Sequence, residues 1–156
     1  MEEQGQSITV VPMQPCHIEK LERLEKECFS TPWSFDALVS ELSNPLAVFR
    51  VAEIGGRVAG YVGMQHIVDE GYICNIAVFP QFRRLGVATR LMETLDEYAK
   101  ENDMASISLE VRESNVSAQQ FYDKFDFEVV GHRKNFYSNP TEDALIMTKT
   151  YGGIFS

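Results

Sequence analysis

Residues 74–90 read CNIAVFPQFRRLGVATR, and the fold turns on them. An apolar run from Tyr72 to Val78 stops at Pro80, and a turn holding Arg83, Arg84 and Gly86 follows. An apolar-periodic stretch then begins near Val87, so the spacing predicts strand, glycine turn and helix start in one short segment. That succession aims several backbone N–H groups at one point, and a helix N-terminus carries roughly half a positive charge. Arg83 and Arg84 add fixed charge beside it, and Arg90 adds more one turn into the helix. No Asp or Glu stands between Gly71 and Met92, although the chain's formal net charge is −9. An acid-free window around arginines in an acidic protein points to a specific anion.

The window lacks the Gly-Lys-Ser/Thr ending of a Walker loop. It also lacks two of the three glycines of a dinucleotide fingerprint, and no acid follows at ribose distance. A solvated arginine pair beside a helix cap is the plainer reading of the turn by itself. The spacing Arg83-x-x-Gly86-x-Ala88 resembles the pyrophosphate-binding motif of the GNAT superfamily of acyl-CoA N-acyltransferases.

A chain of 156 residues is long enough to bury a core as one domain. The expected organisation is a disordered segment over 1–7 and a single domain over 8–156. No apolar run approaches the roughly 18–20 residues of a membrane span, and the first residues, MEEQGQS, are unlike a targeting signal. Cys16, Cys28 and Cys74 form no C-x-x-C pair and leave one over. No disulfide framework or zinc site is therefore expected, and a cytoplasmic location is. The sequence pI near 4.8 speaks against a nucleic-acid partner.

Further along, Ile18, Leu21, Leu24 and Cys28 make one helical stripe, and Phe35, Leu38, Val39 and Leu42 a second, with Ser34 as its N-cap. Strands are predicted over 8–12, 48–54, 58–67, 72–78, 107–111, 127–133 and 144–148. Gly55-Gly56 reads as a hairpin turn and 69–71 as a second. Helices are predicted from Val87 to near Asn102 and over 115–125. The expected fold class is α/β (α+β): a mixed central sheet of about seven strands with helices on both faces. That order is also the GNAT one, so the resemblance extends over essentially the whole chain.

A second constellation, residues 109–127, reads LEVRESNVSAQQFYDKFDF. With NIAVFPQFRR it resembles the RimI-type branch of the superfamily, the N-terminal acetyltransferases of ribosomal proteins. The resemblance implies acetyl-CoA as co-substrate, Glu110 as general base, Tyr122 as general acid and Asn115 as a partner of the pantetheine arm. Ile76, Ala77 and Val78 would hold the thioester and arm through their backbone. Arg83, Arg84, Leu85, Gly86, Val87, Ala88 and Thr89 would form the pyrophosphate loop. One departure is Asp126, where the family usually has glycine; Asp tolerates left-handed geometry better than most residues, so the turn is expected to survive. Each residue has a duller reading as well. Glu110 alternates with Leu109 and Val111 as the outward position of a strand. Tyr122 lies on the apolar stripe Ala118, Phe121, Tyr122, Phe125, and Asn115 stands at an N-cap position. His17, His66 and His132 have no metal spacing, and no metal is assigned.

The chemistry suits these residue types. An α-amino group has a reference pKa of about 7.7–8.0 against about 10.4 for lysine, so a weak base such as Glu110, acting through a water, is adequate for a protein N-terminus and marginal for lysine. A tyrosine can donate to a departing thiolate, and backbone N–H groups near Ala77 and Val78 would polarise the carbonyl. Residues 1–46 hold eight acids and three bases, which would help steer a basic ribosomal acceptor. Glu19, Glu22 and Glu25 read equally as a solvated helix face. Phe29, Thr31, Pro32 and Trp33 resemble the family's substrate-side segment, with core packing of Trp33 the other reading. In Arg133-Lys134-Asn135-Phe136-Tyr137, by the same resemblance, Tyr137 is a candidate substrate contact. Two alternatives stay open: a small-amine or antibiotic acetyltransferase, and a non-catalytic acyl-CoA-binding module.

Overall fold

A computed structural model describes residues 7–152 of the chain. The expected disordered segment falls, apart from the exposed Ser7, outside the described residues. Seven strands and four helices follow in the order β1 (Ile8–Pro12), α1 (Ile18–Cys28), α2 (Phe35–Glu41), β2 (Ala47–Ile54), β3 (Arg57–Ile67), β4 (Glu70–Val78), α3 (Val87–Glu101), β5 (Ser106–Arg112), α4 (Val116–Asp123), β6 (Glu128–Tyr137) and β7 (Glu142–Thr150). Short 3₁₀ turns occupy Pro15–His17 and Pro80–Phe82. The strands form one seven-stranded mixed sheet in the order β1-β2-β3-β4-β5-β7-β6. β4 and β5 run parallel, while β1/β2, β2/β3, β5/β7 and β6/β7 are antiparallel. The described residues gather into two compact units, 7–65 with Cys74–Glu97, and His66–Ile73 with 98–152.

In the first unit the α1 stripe buries Ile18, Leu21 and Leu24. Ser34 caps α2, its side chain accepting from the Ala37 N–H at 3.1 Å, as the sequence predicts. The two-residue turn between β2 and β3 is Gly55-Gly56, with φ of 58° and 79°, pairing Ile54 with Arg57. Two consecutive positive φ values are the requirement of a type I′ hairpin, which glycine meets without strain. From Ala59 to Met64 every residue of β3 is buried, so both faces of this strand are covered, as the expected layering requires.

In the second unit β5 alternates, burying Ile107, Leu109 and Val111 while Glu110 points the other way. Phe127 and Met147 complete this core. Asp126 holds φ of 72°, the left-handed conformation expected at this turn. The second hairpin turn differs from the expected 69–71. It falls at Val68 and Asp69, with Val68 at φ 59°, and Gly71 is already a strand residue opposite Ile107. The last hairpin is also longer than its apolar content suggests. β6 runs on to Tyr137 with register shifts after Val129 and after Arg133. Bulges add residues that break the two-residue apolar period, and the period is what a sequence reading follows.

Candidate active site

The candidate anion cradle is local geometry. Arg84 and Gly86 both take positive φ, 65° and 87°, and α3 begins at once. The Arg90 N–H closes the first helical turn on the Gly86 carbonyl at 2.9 Å, so the N–H groups before it have no intrahelical acceptor. A Cβ added at Gly86 meets nothing within 4 Å, which leaves open space in front of the turn. Arg84, Leu85 and Thr89 are exposed, Ala88 is half-buried and Val87 is buried. Open space, amides without an intrahelical acceptor and an acid-free stretch of sequence fit a diphosphate.

Arg83 is not simply a free charge beside that turn. Its Nε donates to the Val78 carbonyl at 3.1 Å, and Nη2 lies 3.5 Å from the Cys28 sulfur. Burial pushes the Cys28 thiol above its ordinary value, with Arg83 pulling the other way. The arginine thus ties the loop to the end of β4, the strand carrying Ile76, Ala77 and Val78. Ala77 is buried and its two neighbours half-buried. β3 comes close behind them at Gly60, where an added Cβ would lie 2.6 Å from the Ala77 carbonyl oxygen.

The second unit holds the acid–base candidates. Glu110 stands opposite Ile146 of β7 and its side chain is only 5% exposed. One carboxylate oxygen accepts from the Tyr72 hydroxyl; the other lies 2.9 Å from Arg133 Nε. Neither partner is evident from the sequence, because β4 and β6 are far from β5 along the chain. Arg133 had a signal in the motif ending at Tyr137, whereas Tyr72 had only its strand position. Tyr122 is 7% exposed, its ring packed on Phe121, at 5.3 Å between centroids, and on Phe127, at 5.7 Å. The packing meets its reading as part of the apolar stripe of α4. Burial raises its pKa above the ordinary tyrosine value, and Tyr137 acts in the same direction.

Tyr137 is half-buried, with the Arg112 guanidinium 4.4 Å from its ring centroid. Burial and the Glu110 charge push its hydroxyl up to about 12, Arg112 opposing. Arg112 in turn bonds Glu142 at 3.1 Å. The Glu142 carboxylate is held below the usual range by hydrogen bonding from Ser114, whose N–H lies at 2.6 Å, and by Arg112. Asn115 is the N-cap of α4, its Oδ1 accepting from the Ala118 N–H at 3.1 Å.

One reading of the acidic positions needs correction. Glu25 does not lie on a solvated face with Glu19 and Glu22. It is 0% exposed and accepts hydrogen bonds from the Trp33 N–H, the Tyr61 hydroxyl and Asn75. A helical wheel places it on the polar side of α1; the tertiary neighbours that make it a core residue lie 8, 36 and 50 positions away. The histidines are scattered in sequence but partnered in space. Buried His17 accepts the Gln14 N–H at Nδ1, so Nε2 carries the proton and donates to Glu53 at 2.9 Å. His132 Nε2 sits 3.5 Å from Glu113 and 3.2 Å from Asp143. Trp33 is half-buried, its ring 5.9 Å from that of Phe49.

The sequence matches the acetyltransferase (GNAT) family over residues 18–127, a stretch that runs through both units. A protein of Bacillus subtilis (strain 168), provisionally named ribosomal protein bS18-alanine N-acetyltransferase, is 40% identical over 134 residues, covering 85% of this chain and 89% of that protein. The ribosomal protein bS18-alanine N-acetyltransferase of Haemophilus influenzae is 32% identical over 138 residues, covering 86% and 93%. Among solved structures, the ribosomal-protein-S18-alanine N-acetyltransferase of Escherichia coli superimposes with a TM-score of 0.86 at 27% identity, covering 92% of this chain and 94% of the other.

Proposed function

From its membership of the acetyltransferase (GNAT) family, to which this chain belongs, we propose that it transfers the acetyl group of acetyl-CoA to the N-terminal α-amine of a protein, a basic ribosomal one. The near-full-length likeness to proteins of that name, at 40% and 32% identity, carries this reading. Residues 8–156 act as a single catalytic domain, in the cytoplasm, without a metal in any assigned role and without a nucleic-acid or membrane partner. No helix among the described residues is long and apolar enough to cross a membrane.

The roles follow from the side chains. The loop from Arg83 to Thr89 holds the diphosphate of the co-substrate through first-turn amides and the exposed Arg84. Arg83 acts from behind, fixing the loop to Val78. The co-substrate supplies an activated acyl thioester, and the Ile76–Val78 backbone orients that arm, with Asn115 contributing from the α4 cap. Glu110, steadied by Tyr72 and Arg133, takes the ammonium proton through a water. A carboxylate is a mild base, which suits an amine whose reference pKa is about 8 better than one near 10.4. Tyr122, kept neutral by burial, has a proton to donate toward the leaving sulfur. Trp33 and Tyr137 contact the acceptor.

The test is incubation with acetyl-CoA and a panel of basic N-terminal peptides, lysine peptides and aminoglycosides, with mass mapping of the product. Acetylation on the α-amine alone is expected, and Glu110→Gln should lower kcat/KM about 10²–10⁴-fold with acetyl-CoA binding intact. Acetyl groups on lysine side chains, or a preference for aminoglycosides, would move the assignment to a small-amine enzyme. Binding of acetyl-CoA without turnover of any acceptor would leave a non-catalytic acyl-CoA module.

A further inference from the structure

Glu25 is a carboxylate in a place where a helix core normally holds leucine. It lies one position beyond the fully buried Leu24 on α1 and is itself 0% exposed. Burying such a group is costly even when it is well bonded, and an apolar side chain of similar size would fill the space at less cost. What a carboxylate adds is several directional acceptor sites on one rigid group. Here three donors use them. Oε1 accepts the Trp33 N–H at 2.8 Å; Oε2 accepts the Tyr61 hydroxyl at 2.5 Å and the Asn75 amide at 2.6 Å. Desolvation raises the pKa of the group, while the bonds from Trp33 and Tyr61 oppose the rise.

The donors are the informative part. Trp33 belongs to the extended segment between α1 and α2, which has no ladder of its own to hold it. Asn75 is the residue immediately before Ile76, Ala77 and Val78 on β4. Tyr61 is on β3, and its ring stacks 6.1 Å from Phe49, which in turn packs 5.9 Å from Trp33. Hydrogen bonds and ring contacts therefore close on themselves around Glu25, so that the backbone and the indole of Trp33 are fixed from the same point as the strand leading into Ile76. We propose that Glu25 is a positioning residue for the acceptor: by holding Trp33 against Phe49 and in register with β4, it presets the wall that receives the acceptor chain. The proposal rests on the reading of Trp33 as an acceptor contact. It assigns Glu25 no proton transfer, because a fully buried carboxylate with three donors is not within reach of a substrate amine.

Trp33 is the only tryptophan of the chain, so its emission reports the segment independently of catalysis. Glu25→Met removes the acceptor atoms at similar side-chain length, and Glu25→Gln keeps one carbonyl acceptor. In folded Glu25→Met the acceptor KM should rise about tenfold, the factor that corresponds to losing one charge-assisted hydrogen bond. The KM for acetyl-CoA and kcat should change by less than about threefold, and Trp33 emission should move to longer wavelength with stronger acrylamide quenching. Glu25→Gln should restore much of both. Should Glu25→Met not fold, Tyr61→Phe, which drops one donor and keeps the ring, should show the same split at smaller amplitude. A wild-type acceptor KM together with wild-type quenching in these variants overturns the proposal, as does a loss confined to kcat. Altered quenching with an unchanged acceptor KM, matched by an unchanged KM in Trp33→Ala, would instead refute the placing of Trp33 at the acceptor.

Discussion

Gly60→Ala offers a direct test of how β3 supports the strand that would carry the thioester. A Cβ at this position would lie 2.6 Å from the Ala77 carbonyl oxygen and 3.1 Å from both Cα and Cγ2 of Val78. Ordinary contact begins near 3.4 Å, so β4 must retreat by about 0.8 Å from the oxygen or β3 must bend by as much. The nearest obstacle is backbone in the middle of a sheet, and it has no rotamer to change. Overpacking of this kind costs about 2 kcal/mol. Replacing a strand glycine returns roughly 0.5 kcal/mol of chain entropy, leaving a net loss of about 1.5 kcal/mol. For a chain of this length that lowers Tm by about 3–6 °C. The larger effect should be catalytic, because the displaced atoms are those proposed to orient the acyl arm, and a misplacement approaching 1 Å can cost about 10²-fold. We expect kcat/KM for acetyl-CoA, assayed well below the melting transition, to fall about 10–100-fold. Gly131→Ala is the control: its added Cβ meets the end of the flexible Ile146 side chain at 3.1 Å, so activity should be unchanged. A Gly60→Ala protein melting with the wild type would refute the packing argument. One that is destabilised but fully active would refute the role given to Ala77 and Val78.

Two further outcomes are expected. Because burial raises the Tyr122 pKa and Tyr137 adds to the rise, the neutral hydroxyl persists to higher pH. At saturating acceptor kcat should therefore stay level through pH 10, where an unperturbed tyrosine would be about half ionised; a decline centred there and absent from Tyr122→Phe would contradict the assignment. Asp126 holds φ of 72°, so Asp126→Gly should relieve left-handed strain and stabilise by about 0.5–1 kcal/mol, raising Tm by about 1–4 °C in calorimetry; a lower Tm would show that the aspartate is favoured there.

Much of this protein is determined by short-range rules that can be read along the chain. The Gly55-Gly56 hairpin, the Ser34 and Asn115 caps, the left-handed Asp126 and the strand–turn–helix from Tyr72 to Arg90 each depend on φ preferences and hydrogen bonds within a few residues. For the same reason the strand and helix order was legible, and with it the family resemblance. Departures appear where partners are distant in sequence. Bulges in β6 carry the strand to Tyr137, past the point where its apolar period ends. Glu110 reads as an outward strand residue; only the pairing of β4, β5, β6 and β7 brings Tyr72 and Arg133 to its carboxylate. Arg83 reads as loop charge, yet it is spent on Val78 and Cys28. Glu25 is the sharpest case: on a helical wheel it is one more acid on a polar face. Its burial is decided by donors on the α1–α2 segment, β3 and β4, because what fixes a buried charge is the set of partners that tertiary packing delivers to it, and no periodicity along α1 encodes those.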